Sequence, residues 1–541
     1  MECISQVWSL PISRALSIVS SLKTGVSSFT LNISYSLKHP INISDFRRSG
    51  ATEWALDLQG EAQPKSWVKW AVFTGISLGC LGLIIKLELI GIILLIGAVT
   101  VGPFVFSALW NTKIGIYIMV LFAFFLSVVN RLYEGIPLGI AIDGMIVIMV
   151  FGLIYRSLLH REWHVFTSPM SVAILLWGGF NILEVVNPWA ASRIAWFYVI
   201  RPAVGYMMLY FITYSMIQKR QDIKHVLYFI LLMCLVTAGW GIYQVHAGYF
   251  EWEMNYVIRH DTLHLVFNNG RLRAIGSIGS PAQYGIIMGF ISIFSLFLIQ
   301  GVKQFRTKAF LFIVGIACLV AMVYSGTRSS YVIIPIFYFS WVILARKKSL
   351  YYSLIGAIIF LVVLAKFPTN NYHIQRIQSV FNASEDASYQ TRAENKKIIF
   401  PWILKHPIGG GLGSTGVWGQ KFSPGTFLAN FPPDSGLIRV AVELGWIGLI
   451  FFLNVYYNVL IKGTFRFWKM KDPFYRTIVA GMICGIAPML VVEWGQEVVG
   501  VFPMSLLFWI FIAIMFRAIE LDKKEAETSD ILESKKETVE I

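Results

Sequence analysis

The sequence predicts an all-α fold, a polytopic membrane helical bundle of about fourteen spans with a partly helical extracytoplasmic loop. Three observations indicate this. The 541 residues are 56% hydrophobic and only 14% charged, whereas ordinary soluble domains carry about 25% charged residues. Apolar runs of about twenty residues, long enough to cross a bilayer, recur along most of the chain. The forty phenylalanines and eighteen tryptophans are typical of a lipid-facing surface with aromatic belts.

The apolar runs give the spans in chain order, with soft boundaries. Two of them, 114–129 and 330–345, are short enough to be tilted or partly re-entrant. The spans are expected near 68–86, 88–109, 114–129, 138–157, 169–187, 194–216, 225–247, 282–300, 309–325, 330–345, 350–367, 435–460, 476–493 and 499–517.

The predicted organisation has five parts. Residues 1–66 form a Ser-rich cytosolic N-terminal extension, without the charged start and apolar core of a signal peptide. Residues 67–367 form the transmembrane bundle and 368–434 a large extracytoplasmic loop. The C-terminal transmembrane spans follow at 435–517, and 518–541 form a charged cytosolic tail.

The distribution of Lys and Arg predicts the orientation. When the spans are counted, four basic connections fall on the side of both termini, which is expected to be cytoplasmic. These connections read QKRQDIKH, VKQFRTK, ARKKS and IKGTFRFWKMKDPFYR. The net charge of +15 reflects topology and anionic lipid, so nucleic-acid binding is not predicted. The two sizeable loops, 248–281 and 368–434, lie on the opposite face, where we expect the active site.

Neither a disulfide framework nor a metal site is predicted. Four of the five cysteines lie inside apolar runs, and none forms a Cys-x-x-Cys pair. The solvent-facing segments carry no His-Glu-x-x-His, Walker or dinucleotide pattern. The cysteines are Cys3, Cys80, Cys234, Cys318 and Cys484.

The stretch PIGGGLGSTG, residues 407–416, holds five glycines in the larger outer loop. It follows an expected amphipathic helix over 391–405, which His406-Pro407 should end because proline cannot continue a helix. A phosphate-binding P-loop would need a preceding strand and a final Gly-Lys-Ser/Thr, and this stretch has neither. Two interpretations stay open: the glycines let the backbone approach a substrate at the membrane interface, or they form a structural turn.

Several motifs accompany the glycine stretch in a defined order. Arg392, Trp402 and His406-Pro407 precede the glycines, and PPDSGLIRVAVELGWIGL follows them. Two further motifs, RLRAIGSIGSPAQYGIIM and YSGTRSSYV, lie upstream. Together these motifs resemble those of the O-antigen ligase and O-antigen polymerase superfamily. The resemblance covers roughly residues 180–515, and it rests on the order and placement of the motifs together.

The resemblance implies an activity. Such enzymes act on undecaprenyl-diphosphate-linked glycans at the outer face of the bacterial inner membrane. They transfer the glycan to a sugar hydroxyl, on lipid A core for ligases or on another lipid-linked repeat for polymerases. No cofactor, metal or nucleotide sugar is expected. Membrane lipid and other polysaccharide-assembly proteins are further candidate partners, and nucleic acid is not.

Four arginines are candidates for binding the diphosphate, because a permanently charged bidentate donor suits that leaving group. Arg273 and Arg328 match the arginine-bearing motifs of the family, with Arg271 as a neighbouring alternative to Arg273. The alternative for both is interfacial anchoring, with the charge reaching to water.

The other two arginines also have structural alternatives. Arg201 lies inside an apolar run, where a charge is costly and is by default a functional candidate. It would otherwise form a structural ion pair, for example with Glu184. Arg392 would hold diphosphate or sugar, or would lie on a solvated helix face.

The base that activates the acceptor hydroxyl has two candidates, Asp434 and His406. Ligases of this family typically carry His-Asn before the ELG segment, whereas this chain has Pro433-Asp434-Ser435-Gly436, which favours a polymerase over a ligase. Asp434 would serve as the base or orient the acceptor, or it would cap the following helix. A His-Pro at a helix end is more often structural.

Other functions and residues stay open. Glu493 and Glu497 would contact sugar or be interface charges. A polysaccharide transporter or lipid flippase is the main alternative, and it would predict internal repeats and broken helices at mid-membrane. A non-catalytic scaffold of polysaccharide assembly is the third possibility.

Overall fold

The computed structural model describes residues 112–539, apart from 134–137, 162, 269, 370–371, 380, 382–386 and 434. The predicted extension 1–66 and the first two predicted spans, 68–86 and 88–109, lie outside the described residues. Within the described part the fold is all-α, apart from one two-stranded antiparallel hairpin in which Phe267 pairs with Leu272.

Nineteen α-helices and the hairpin follow one another in the described residues. The first nine helices are α1 Thr112–Leu132, α2 Leu138–His160, α3 Ser171–Leu183, α4 Arg193–Met216, α5 Arg220–Ala247, α6 Glu251–Arg259, α7 Leu263–Val266, α8 Pro281–Leu298 and α9 Phe305–Ser325, with β1 Phe267–Asn268 and β2 Arg271–Leu272 after α7. The others are α10 Arg328–Tyr331, α11 Ile333–Ala345, α12 Lys348–Lys366, α13 Tyr372–Gln378, α14 Ala387–Lys405, α15 Gly416–Phe422, α16 Gly436–Glu443, α17 Gly445–Phe467, α18 Pro473–Gly495 and α19 Met504–Val539.

Eleven candidate spans in the described part of the chain are long and apolar enough to cross a membrane, so this is a multi-pass membrane protein. The count of fourteen is not confirmed. The predicted span 169–187 is a shorter apolar helix, Ser171–Val186. The predicted span 435–460 is wrong at its start, because the chain breaks at Leu444 into a short helix, α16, and a separate span, α17.

The centre of the bundle is formed by α8, α18 and α19, the most buried of the spans. The ring of Phe290 on α8 stacks on Phe294 and packs against Phe511 on α19. Gly485 on α18 leaves room for Phe290, since a Cβ at this position would lie 2.0 Å from the ring. At the periphery the opposite holds, and no described residue of α12 is buried.

Polar contacts show that the connections between helices lie at two ends of the bundle. At one end, which we call the loop end, Gln283 donates a hydrogen bond to the carbonyl of Glu497 at 2.9 Å. At the other, the basic end, Arg517 donates to the carbonyl of Ile217, and Trp468 donates to that of Leu344. Basic connections that the sequence predicts on one side of the membrane therefore lie at the same end of the bundle. Which end faces the cytoplasm stays a prediction.

Candidate functional site

Two short connections touch each other at the loop end. Residues 325–332, counted from the last residue of α9, lead to α11, and residues 495–503, counted from the last residue of α18, lead to α19. The hydroxyl of Ser329 donates a hydrogen bond to Gln496 Oε1 at 2.8 Å. The sequence motifs YSGTRSSYV and VEWGQEVVG, far apart in the chain, are thus brought together in the fold.

Arg273 binds the first of these connections. Its Nε donates to the carbonyl of Ser325 at 2.7 Å, and its Nη2 donates to Thr327 Oγ1 at 3.0 Å. Nη1 reaches the carbonyl of Leu265 at 2.9 Å. Arg273 therefore positions the turn that carries Arg328, the next residue after Thr327. Arg328 begins α10 and is half-buried there.

Two further arginines bind the same pair of connections. Arg376, which the sequence reasoning missed, donates from Nε to the carbonyl of Gly326 at 3.0 Å. Arg392 on α14 donates from Nη1 to the carbonyl of Gly495 at 3.2 Å. Three of the four predicted arginines therefore lie at this pair of connections: Arg273, Arg328 and Arg392.

Arg392 lies beside another cation on α14. Lys396 is one helical turn further on, with its ammonium 4.1 Å from the ring centroid of Trp494. Burial and the charge of Arg392 lower the pKa of Lys396. Like charges four residues apart destabilise a helix slightly. Both side chains line a shallow depression together with Ser435 and Gly495, and an anion in that depression would relieve the repulsion.

Arg439 on α16 lies at the centre of an ion cluster that sequence reasoning also missed. Its Nη1 lies 2.8 and 2.7 Å from the two carboxylate oxygens of Glu497, and its Nε lies 3.4 Å from Glu443 Oε1. Burial opposes the charge of Arg439, but the two carboxylates outweigh it and raise the pKa of the guanidinium. The spacing of Arg439 and Glu443 in the sequence, four residues, is the signal that would have indicated this pair.

The cluster borders a cavity of about 120 Å³ between α3, α4, α16, α18 and α19. Asn181, Tyr206 and Ser505 contribute polar side chains to its wall, beside the carboxylates. Glu493 is also in this wall and is buried, accepting hydrogen bonds from the backbone amides of Val498 and Val499 at 3.2 and 2.7 Å. The cavity is therefore polar and charged on the side of α16 and α18.

The glycine stretch wraps around the end of α16. The amides of Gly410 and Gly411 donate to the carbonyls of Val442 and Glu443, both at 2.9 Å. Gly413 donates from its amide to the carboxylate of Glu443 at 3.0 Å. Gly409 has φ of +74°, and a Cβ there would lie 2.5 Å from the backbone of Glu443. The structural interpretation is the one supported, because these glycines approach the protein's own backbone.

His406 is held between two tryptophans. Its ring stacks on Trp402 with centroids 4.0 Å apart and meets Trp189 edge-on at 5.2 Å. Nδ1 lies 2.8 Å from the carbonyl of Trp402. A carbonyl only accepts, so Nδ1 is the protonated nitrogen, which leaves the lone pair of the neutral ring on Nε2. The helix α14 ends just before it, at Lys405, as predicted.

Arg201 is not gathered with the other arginines. It forms an ion pair with Asp143 on α2, at 2.7 Å, and its guanidinium lies 5.6 Å from the ring centroid of Tyr198. The ion-pair alternative is thus the one observed, but the suggested partner Glu184 was wrong. Glu184 instead accepts a hydrogen bond from Asn187 at 2.7 Å.

Asp434 lies outside the described residues. Its neighbour Ser435 is the N-cap of α16, where the hydroxyl accepts from the amide of Ile438 at 3.4 Å and donates to the carbonyl of Glu493 at 3.0 Å. Ser435 thus holds the N-cap position of α16, and the roles expected for Asp434 stay predictions.

Among the described residues, no group of three or more His, Cys, Asp or Glu side chains is arranged to hold a metal ion. The expectation of a metal-free, cofactor-free reaction stays a prediction. In the same part of the chain, Cys234, Cys318 and Cys484 are buried free thiols.

Comparison with known proteins agrees with the motifs. Residues 313–453 match the family model described as O-antigen ligase, Wzy_C. This range contains Arg328, Arg392, His406 and Asp434, whereas Arg201 and Arg273 precede it. A search of curated proteins gives no match. The resemblance inferred from the motifs is confirmed: the chain is a multi-pass membrane protein in which residues 313–453 match the O-antigen ligase family model.

Proposed function

We propose that this protein is a membrane glycosyltransferase of the O-antigen ligase and polymerase type, acting on an undecaprenyl-diphosphate-linked glycan. The glycan passes to a sugar hydroxyl at the outer face of the inner membrane. The observation that carries the proposal is the gathering of Arg273, Arg328 and Arg392, joined by Arg376, around two touching connections at the loop end.

The chemistry of the leaving group explains why cations gather there. When the bond between sugar and diphosphate breaks, negative charge develops on the diphosphate. Preorganised donors aimed at such charge are typically the largest contribution to catalysis. Arginines suit phosphate oxygens because the planar guanidinium binds them through two parallel hydrogen bonds. We assign this role to Arg328 and Arg392, with Lys396 as a third cation.

Arg273 and Arg376 have a different role in the proposal. Both donate to backbone carbonyls of the 325–327 turn, at 2.7 and 3.0 Å, so much of their hydrogen-bonding capacity is used within the protein. They hold the turn in place and add positive potential at the diphosphate. Arg273 is therefore a positioning residue as well as a candidate ligand.

Asp434 is the favoured base. It is bonded to Ser435, which lines the same depression as Arg392 and Lys396. His406 lies at the far end of α14 from Arg392, and thirteen to fourteen helical residues rise by about 20 Å. That separation exceeds the reach of a side chain that must touch an acceptor beside the diphosphate. We therefore assign His406 a structural role between Trp189 and Trp402.

The orientation follows from the basic connections at the opposite end of the bundle. Because Lys and Arg are retained on the cytoplasmic side, we assign the loop end, and its arginines, to the outer face. The isoprenoid tail would then lie in the bilayer while the diphosphate lies at the interface. The Asp-Ser-Gly sequence in place of His-Asn favours a polymerase, which would extend one lipid-linked chain with another.

The experiment is an in vitro assay with purified protein and a lipid-linked repeat unit. We expect Arg392→Ala and Lys396→Ala each to lower turnover by at least about tenfold, because each removes a charge-assisted hydrogen bond to the leaving group. The matched control is Lys397→Ala, which removes an exposed charge from the neighbouring position. Chain length of the products separates polymerase from ligase.

Two results would contradict the proposal. One is full activity of both alanine variants. The other is movement of the lipid-linked glycan across the bilayer of proteoliposomes without any new glycosidic bond, which would indicate a transporter or flippase.

A further inference from the structure

A cavity of about 630 Å³ lies at the basic end, away from the arginines of the loop end. It is formed by the start of α5, the connection from α8 to α9, and the start of α18. Nothing in the glycosyltransfer chemistry proposed above uses this cavity, so its lining needs its own explanation.

The mouth of the cavity is cationic. Arg220, Lys224 and Lys303 lie in its wall, and Asp472 is the acidic residue there. Asp472 is already engaged, since it pairs with Arg220 at 2.9 Å and caps α18 by accepting from the amide of Phe474 at 2.7 Å. The charges of Lys224 and Lys303 are therefore left without a neutralising partner in the cavity wall.

Lys224 is the more informative of the two lysines. It is half-buried, and its ammonium lies 5.3 Å from the ring centroid of Phe474. Within the described residues it has no ion pair or hydrogen bond with an acidic side chain. A partly desolvated ammonium without a counter-charge is unfavourable, so an anionic ligand in this cavity would stabilise it.

Below the mouth the wall is apolar. It is formed by aliphatic side chains from four helices: Leu227 and Leu231 on α5, Leu298 on α8, Leu311 on α9 and Ile478 on α18. The cavity thus has a cationic rim where the helices begin and a hydrocarbon-lined depth toward the middle of the bundle. A free inorganic anion would use the rim and leave the apolar depth unfilled.

We propose that this cavity binds an anionic phospholipid, with its phosphate at Lys224 and Lys303 and the first part of its acyl chains against the leucines. Basic pockets between membrane helices on the cytoplasmic side are suited to anionic headgroups. The volume is within the range of about 300–1,000 Å³ that is usual for sites of small ligands. The ligand belongs to the leaflet opposite to the one in which the glycan is transferred.

The test uses the purified full-length protein, with lipid binding followed by native mass spectrometry. Phosphatidylglycerol, phosphatidylcholine and glycerol 3-phosphate are titrated separately. We expect phosphatidylglycerol to bind, and the double change Lys224→Ala with Lys303→Ala to weaken it by at least about tenfold, because each lysine near an anionic lipid contributes measurably to its attraction. Arg220 is left unchanged because it holds the cap of α18.

The control removes two lysines from the same end of the protein but outside the cavity, Lys347→Ala with Lys348→Ala. This variant should bind phosphatidylglycerol as the unchanged protein does. If the control variant loses as much phosphatidylglycerol binding as the double variant, the effect comes from general surface charge, and the proposal is overturned. If phosphatidylcholine binds as tightly as phosphatidylglycerol, the cavity is an apolar groove that does not recognise charge. If glycerol 3-phosphate binds at a similar concentration, the ligand is a free phosphate ester. Either result overturns the proposal.

The proposal is tested independently of the transferase assay. The double variant keeps every residue of the loop end, so its binding defect is measured whether or not the protein transfers glycan. Thermal unfolding of the double variant in detergent without added lipid shows whether it has folded. Retained phosphatidylglycerol binding in a folded double variant contradicts the site.

Discussion

Two arginine–glutamate clusters lie at the loop end, and they differ in what surrounds them. Arg131 and Glu253 are 2.9 Å apart, with side chains only 3% and 0% exposed. Arg439 and Glu497 are 2.7 Å apart, with side chains 22% and 16% exposed. The first pair is sealed in the protein, whereas the second borders a cavity.

The sealed cluster has its polar groups satisfied by the protein itself. Arg131 donates from Nη2 to the carbonyls of Gly276 and Ser277 at 3.0 and 3.2 Å. Glu253 also accepts from Gln244 at 2.8 Å and from the amide of Phe250 at 3.2 Å. Burial raises the pKa of Glu253, although Arg131 opposes the shift. This cluster ties the 248–280 loop to α1, which is a structural task.

The difference teaches how to separate structure from function among similar residues. A buried pair whose hydrogen bonds all stay within the protein acts on stability. A pair that lines a cavity, as Arg439 and Glu497 do, keeps part of its exposure to water, so a change there costs less stability. The two stability predictions below test that difference.

The largest expected effect is on the sealed cluster. Glu253→Ala leaves the charge of Arg131 buried and unpaired, and we expect a loss of about 3–5 kcal/mol in the free energy of unfolding. Thermal unfolding of the purified variant measures it. The double change Arg131→Leu with Glu253→Leu is the control, because removing both charges restores much of the stability. A stable Glu253→Ala variant would contradict the assignment of this pair as sealed.

The next effect is at Asp434. If it is the base, Asp434→Asn should lower turnover by at least about 100-fold, since an amide cannot take the proton. Stability should hardly change, because Ser435 supplies the cap of α16. Turnover on a purified lipid-linked repeat, measured beside thermal unfolding, separates the two. Near-normal turnover would remove Asp434 from the chemistry, and the companion change His406→Gln then tests the other candidate.

A smaller effect is expected at Arg439. Arg439→Ala removes the partner of Glu497 and Glu443, and we expect a loss of about 1–3 kcal/mol in unfolding free energy. The loss is smaller than at Glu253 because Glu497 reaches the cavity and is more easily solvated. Thermal unfolding compares the two variants directly. A loss for Arg439→Ala as large as that for Glu253→Ala would erase the distinction between the clusters.

The smallest expected effect is that of a chelator. Because the arginines neutralise the leaving diphosphate in the proposed mechanism, EDTA should leave turnover unchanged. The transfer assay with and without EDTA checks this. Inhibition that added Mg²⁺ restores would assign part of the charge neutralisation to a metal ion.

The spans were predictable because length and apolar composition alone determine them. Within the described residues the span observed over 473–495 was predicted as 476–493, and the one observed over 305–325 was predicted as 309–325. The break at Leu444 was not predictable, since the sequence VAVELGWIGL is mostly apolar across it. What separates α16 from α17 is the glycine stretch, whose amides bind the carbonyls of Val442 and Glu443 from far along the chain.

The site was predictable in part. Motif order indicated Arg273, Arg328 and Arg392, and these three are gathered in the fold. Pairing across the chain was not predictable: Arg201 and Asp143 are 58 positions apart, and nothing in the sequence near Arg201 indicates that partner. Arg376 carries no local signal either, because its side chain binds the backbone of Gly326, fifty positions away.

The last helix, α19, is 36 residues long. At about 1.5 Å per residue it measures roughly 54 Å, well beyond the hydrocarbon thickness of about 30 Å. Asp522 accepts from the amides of Lys471 and Asp472 at 3.2 and 2.8 Å, which fixes the helix where it leaves the bundle. The seventeen residues that follow, up to Val539, form a rod of about 26 Å. A reporter fused to the C-terminus would therefore be separated from Asp522 by this rod, whose first half still contacts the bundle through Glu525 with Tyr475 and Asp530 with Lys471.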